Sequence, residues 1–178
     1  MEPVLARLGA SQNEADAIAD LHTRSRQVAY RGLYGDAYLD DELLGASRAV
    51  WRERFGSFDP SRDLILAAMA AGAPIGLAYA SFRLKPEVGA LLDNLHVAPE
   101  RKGGGLGSAL LAGVARWLVE DHGDAPLSLE VYAPNAAALR FYERKGGVEA
   151  ARYIERVPGG REVEVVRYRW ARPAVLLD

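Results

Sequence analysis

Between Lys102 and Ser108 the chain reads Lys-Gly-Gly-Gly-Leu-Gly-Ser, directly after the apolar segment Leu92-Asp93-Asn94-Leu95-His96-Val97-Ala98-Pro99 and an intervening Glu100-Arg101. A strand that feeds a glycine-rich helix start points unpaired backbone N–H groups and the positive end of the helix dipole at one place, which makes a cradle for an anion. Glycine lets that backbone approach a ligand closely and adopt positive φ. The expected chemistry is therefore the binding of a phosphate-bearing molecule. Two common phosphate loops fail on spacing. A P-loop needs a lysine between its last glycine and Ser/Thr, whereas Gly107 is followed at once by Ser108. The dinucleotide pattern Gly-x-Gly-x-x-Gly meets Ser108 if started at Gly103, and Leu110 if started at Gly105. With no cysteine there is no thiol nucleophile, disulfide or thiolate site, and His22, His96 and His122 lack zinc spacing, so no metal is expected.

The elements that must position this loop follow from periodicity. Residues 3–8 form a candidate first strand; 15–29 a helix entered through Ser11-Gln12-Asn13-Glu14, whose side chains suit a cap. Gly32 and Gly35 end it, and a second helix is expected over 37–55. Residues 64–70 and 75–82 read as a hairpin turned by Ala71-Gly72-Ala73-Pro74, and 89–97 as the strand before the glycine loop. Leu106, Leu110, Leu111, Val114 and Leu118 line one face of a helix over 105–122. Then come a strand at 127–132, a helix at 136–145, and two closing strands at about 148–156 and 162–170. In the last, apolar parity slips at Val165-Val166, which predicts a bulge there.

After the strand Leu127–Tyr132 the chain reads Asn135-x-x-Ala138-x-x-Phe141-Tyr142-x-x-x-Gly146. Asn135 suits an N-cap, Phe141 and Tyr142 a core, and Gly146 a helix end. In this order, Lys102-x-x-Gly105-x-Gly107 followed by the asparagine–tyrosine motif resembles the two cofactor signatures of the GNAT N-acetyltransferase superfamily. Lys102 stands where the family has Arg or Gln, which keeps the charge but not the planar fork. Gly146-Gly147 stands where Gly-Phe is usual. Ser25 to Leu33 with Tyr38-Leu39 is similar to small bacterial members of unassigned substrate.

The resemblance implies an α/β (α+β) GNAT fold: a central mixed, mostly antiparallel sheet of six to seven strands, splayed into a cofactor cleft and flanked by four helices, with residues 1–178 as a single domain. It implies an acyltransferase that moves acetyl from acetyl-CoA to a primary amine of a small molecule by direct attack in a ternary complex. Main-chain groups of Leu95, His96 and Val97 would bind the pantetheine arm and the carbonyl oxygen. Lys102, Gly103, Gly104, Gly105, Leu106, Gly107 and Ser108 would hold the pyrophosphate, and Asn135 would bond the arm. Tyr142 would act as general acid to the thiolate, since phenol and thiol have similar pKa values.

The base is less defined. The family often has Glu about six residues before the final Val of the cofactor strand; that position is Leu91. Asp93, which shares Leu91's strand parity, is the first candidate. His96, of opposite parity, is the alternative; Glu130 is third, and deprotonation through water fourth. For the acceptor, Tyr30, Tyr34 and Asp36, with Asp40-Asp41-Glu42 beyond, would make an acidic, tyrosine-lined mouth suited to a cationic amine, or Asp40 to Glu42 simply favour a helix start. Two other readings are a protein or peptide N-acetyltransferase and a non-catalytic acetyl-CoA-binding sensor.

Over 178 residues, 49% hydrophobic content with a net charge of −2 fits one soluble domain and leaves no electrostatic footprint for nucleic acid. No run approaches the ~20 apolar residues of a membrane span, and the start lacks a signal-peptide pattern, so a cytoplasmic protein is expected. The exposed closing hairpin would allow a homodimer.

Overall fold

In the computed structural model, which describes residues 3–9 and 11–178, seven strands form one sheet. They are β1 (Val4–Arg7), β2 (Asp63–Ala70), β3 (Ala73–Ser81), β4 (Ala90–Val97), β5 (Leu127–Tyr132), β6 (Val148–Arg156) and β7 (Glu162–Trp170). Their order is β1-β2-β3-β4-β5-β7-β6; β4 and β5 run parallel and every other neighbouring pair is antiparallel. Helices α1 (Gln12–Ala29) and α2 (Leu43–Gly56) cover one face, and α3 (Leu106–His122) and α4 (Ala136–Arg144) the other.

Because both faces are covered, the central strands are continuous apolar runs rather than alternating ones. In β2, Leu64, Leu66 and Ala68 pack with Leu110, Val114 and Trp117 of α3, while Ile65 and Ala67 pack with Ile18, Trp51 and Phe55 of α1 and α2. The β2–β3 turn is tighter than expected. Ala71 (φ 50°) and Gly72 (φ 77°) form a two-residue hairpin, so β3 begins at Ala73 instead of residue 75. At the start of α1, Ser11 occupies the cap position without a side-chain cap bond. The expected second helix begins as a π-helical turn, Tyr38–Glu42, before α2; this turn faces Tyr38 to the central cavity while Leu39 is buried with Leu43, Val157 and Val163.

The bulge expected at Val165-Val166 is absent. β7 pairs with β5 in unbroken register, and its partner β6 carries the irregularity, at Ala150. The parity slip has another cause: Val163 and Val165 are buried, Val163 in the cluster with Leu39 and Leu43, whereas Val166, Tyr168 and Trp170 join the α3/α4 core. The strand keeps its register and changes which face is covered. Gly147 has a packing reason as well, since a Cβ there would lie 2.8 Å from Trp170 Cζ2 and 3.0 Å from the Tyr142 carbonyl oxygen. Trp170 fills that space and donates to the Lys145 carbonyl at 2.8 Å.

Candidate active site

β4 and β5 pair only from Ala90–Leu127 to Leu92–Leu129; beyond that the two strands part. The parting coincides with a register shift against β3, where Tyr79 pairs with Asn94 and Ala80 with Leu92, leaving Asp93 as an extra residue. Leu92 packs on the α3/α4 side, and so do Leu95 and Val97, because the bulge has reversed the parity between them. Asp93 and His96 are therefore not on opposite faces, as simple alternation predicts. Asp93 bonds Arg54 of α2 and His96 bonds Ser25 of α1, so both reach the α1/α2 side.

The wedge between the strands opens into a cavity of about 520 Å³. Leu95, His96, Val97, Lys102, Asn135 and Tyr142 all line it. At the α3 start, Gly103 and Gly105 have φ of 83° and 79°, where a side chain would be strained. No side chain caps α3, and Ala109 is the first of its amides with a backbone acceptor, Gly105 O at 3.0 Å. The preceding N–H groups, from Gly103 through Leu106 and Gly107 to Ser108, are left for a ligand. The α4 start differs: Asn135 Oδ1 accepts from Ala138 N at 3.2 Å, so Asn135 is an N-cap, and it also lines the cavity. Tyr142 is buried, yet its hydroxyl has no hydrogen-bond partner among the described residues. Burial, with a smaller contribution from Tyr30, raises its phenol well above the ordinary value. These residues fit a molecule with a phosphate end and a long polar arm.

The α1/α2 side is polar and tightly linked. Arg54 donates to Asp93 Oδ2 at 2.6 Å and Asn94 Oδ1 at 2.5 Å, and stacks over the rings of Trp51 and Tyr79. Trp51 Nε1 donates to His22 Nδ1 at 3.0 Å, so the neutral His22 ring carries its proton on Nε2. His96 Nδ1 lies 3.0 Å from Ser25 Oγ. Burial first, then Arg26 and Lys102, push the His96 imidazole down to about 3, and burial lowers His22 too. Glu130 lines the cavity but is occupied: Oε1 accepts from Lys85 at 2.6 Å and from Arg167 at 2.7 Å. Burial raises its carboxyl, and the bonds from Lys85, Tyr153 and Arg167 outweigh this and hold it below the ordinary value.

Tyr30 and Tyr34 line the cavity, with Tyr34 Oη 2.8 Å from Tyr132 Oη. Asp36 does not line it. Asp36 and Asp40 are exposed and pair with Arg31, at 3.0 and 2.6 Å, so the expected acidic mouth is neutralised outside the cavity. Glu155, Arg26, Arg54 and His22 line the cavity and carry no motif. The loop holding Tyr34 is latched to the β6–β7 turn: Gly35 N donates to the Pro158 carbonyl at 3.0 Å, and a Cβ on Gly159 would lie 2.7 Å from Gly35 N.

The cleft architecture agrees with sequence-family comparison, in which the acetyltransferase (GNAT) family model matches residues 16–147. The chain belongs to the acetyltransferase (GNAT) family. As a GNAT acetyltransferase it is an acyltransferase enzyme, and its fold is shared with solved structures. PaiA N-acetyltransferase from Thermoplasma acidophilum, solved with coenzyme A, is 17% identical with a TM-score of 0.72, covering 96% of this chain and 100% of that one. A variant of the spermidine N-acetyltransferase SpeG from Vibrio cholerae is 17% identical at TM-score 0.69, over 99% and 97% of the two chains. Ribosomal-protein-alanine N-acetyltransferase from Brucella melitensis is 19% identical at 0.70, over 94% and 99%. No curated protein sequence matches significantly. At these identities the likeness shows the fold alone. Among the described residues no helix of this GNAT protein is long and apolar enough to cross a membrane, and no three His, Asp or Glu side chains group as a metal site.

Proposed function

We propose that this GNAT protein transfers acetyl from acetyl-CoA to a primary amine of a small molecule by direct attack, with both substrates in the cleft. The wedge between β4 and β5 carries this reading: it has an unpartnered tyrosine hydroxyl on one wall and an uncapped, glycine-rich helix start at one end. Acetyl-CoA would supply a thioester carbonyl and a thiolate leaving group. The amides of Gly103 to Ser108, beside Lys102, would hold its pyrophosphate. The unpaired edge of β4 around Leu95, His96 and Val97 would bind the pantetheine arm and donate to the carbonyl oxygen, and Asn135 Nδ2 would bond the same arm. Tyr142, kept protonated by burial, would give its proton to the departing sulfur.

The acceptor must lose a proton before it attacks. Asp93 is the favoured base, directly or through water, because Arg54 engages only Oδ2 and Oδ1 has no partner among the described residues. His96 is disfavoured, since a ring held at about 3 has little affinity for a proton near neutrality. Glu130 is disfavoured by the two cations on its oxygen. The latch between Gly35 and Pro158 ties the loop that carries Tyr34 to the β6–β7 turn, and a loop held in place on the acceptor side supports a small molecule over a polypeptide.

The test is acetyl-CoA-dependent thiol release across an amine library, with Tyr142→Phe alongside. Turnover that the variant slows at least 100-fold supports the assignment. Thermal stabilisation by acetyl-CoA with no turnover would replace it with a cofactor-binding sensor, and turnover on peptides alone would replace the small-molecule acceptor.

A further inference from the structure

Of the six charged side chains that line the cavity, three are matched within the described residues, and Lys102 sits at the glycine-rich loop. Arg54 has Asp93, and Glu130 has Lys85 and Arg167. Arg26 is the exception on the α1 side: it lines the cavity, is half-buried, and has no carboxylate within 4 Å among the described residues. It is nonetheless held, because its guanidinium lies 5.6 Å from the Tyr30 ring centroid and 5.4 Å from that of Tyr34. Glu155, reaching the same cavity from β6, is likewise without an ion-pair partner among the described residues. The Tyr30 phenol, pushed up to about 12 chiefly by burial, lines the same cavity as these groups and also responds to Tyr34, Arg26, Asp93 and Glu155. A cation and an anion left unmatched in the lining of one cavity complement a ligand that carries both signs.

Resting on the acetyltransferase reading above, we infer that the acceptor is an amine that also bears an anionic oxyacid group, with that group on the Arg26 guanidinium and its ammonium drawn toward Asp93 and Glu155. A guanidinium oriented by two rings offers a planar pair of donors, which matches a carboxylate or phosphate in bidentate fashion. The sequence expectation of an acidic mouth suited to a cationic amine shifts accordingly: Asp36 and Asp40 behind it are spent on Arg31, and Arg26 faces the cavity without a carboxylate of its own among the described residues.

The deciding experiment measures thiol release with matched amines: amino carboxylates, their carboxamides, their decarboxylated counterparts, amino phosphates and polyamines. Each is run on the wild type, Arg26→Gln, Arg26→Lys and Arg24→Gln, the last an exposed position on α1 outside the cavity. An anionic amine should exceed its neutral counterpart in kcat/KM, and Arg26→Gln should raise its KM by about 10- to 100-fold, the loss expected for a charge-assisted bond. Arg26→Lys should recover part of this, and Arg24→Gln should change nothing. The carboxylate and phosphate arms identify the oxyacid. Preference for neutral amines or polyamines would overturn the inference while leaving the acetyltransferase reading intact. So would an effect of Arg26→Gln on the KM for acetyl-CoA with acceptor preference unchanged, which would assign Arg26 to the cofactor. No thiol release with any amine would overturn both.

Discussion

On the α3/α4 side of the cleft, the groups proposed for the cofactor come from two continuous segments, residues 95–108 and 135–142, and they are largely backbone. On the α1/α2 side, the lining groups come from α1, α2, the bulge of β4 and the end of β6, and they are side chains bonded to one another. The first wall needs glycines, a strand edge and a helix start, all of which local sequence specifies. The second needs Trp51, His22, Asn94, Arg54 and Asp93 to meet from distant places. Binding a constant cofactor suits the first construction, and a particular acceptor suits the second.

Four measurements test this contrast, three on turnover and binding in order of decreasing effect and one on stability. Tyr142→Phe should lower kcat by roughly 10²- to 10⁴-fold with little change in acetyl-CoA affinity, as expected for a lost proton donor; retained kcat would remove the acid from the cofactor wall. Asp93→Asn should lower kcat/KM by about 10- to 100-fold and alter the acidic limb of the pH–rate profile; an unaltered profile with near-normal activity would return deprotonation to water. Gly105→Ala, at a φ of 79°, should cost about 1–2 kcal/mol in denaturant titrations and weaken acetyl-CoA binding, leaving acceptor KM in place. A change in acceptor KM instead would show the two walls to be coupled.

The last measurement concerns the paired imidazoles and reads stability rather than turnover. His22 and His96 are held below their ordinary 6.5 by burial, so the unfolded chain binds protons that the folded one does not. Stability is then full above about pH 6.5 and falls below it, by up to about 1.4 kcal/mol per pH unit for each ring that stays neutral in the folded chain; for His96 the fall ends near pH 3. Urea midpoints at pH 7 and pH 5 should show this fall, and it should flatten in the His22→Gln, His96→Gln double variant.

Legibility followed the same division. Strand and helix boundaries agree closely with periodicity from β4 to β7; of the two motifs, Lys102, Asn135, Ala138 and Tyr142 line one cavity, whereas residues 103–108 are not among its lining. Alternation failed where a single residue changed the phase, at Asp93, and where a strand changed its covered face, at Val165-Val166. Arg26, Arg54 and Glu155 gave no signal because arginine and glutamate on amphipathic elements read as solvated surface; only the approach of α2 and β6 brings them inward. Asp36 reads as functional for the opposite reason, since its partner Arg31, five residues away, meets it only through the turn of the intervening loop.

The extra residue in β4 has a consequence for how such a cleft could be gained or lost. Asp93 shifts the phase of everything after it, and the strands part at the same place. Deleting one codon there would restore simple alternation with Leu95 and Val97 still on the α3/α4 face, remove the carboxylate that Arg54 binds, and favour continued pairing of β4 with β5. The capacity to bind is thus stored in this strand as a count of residues as much as in their identity, a change that substitution alone does not reach.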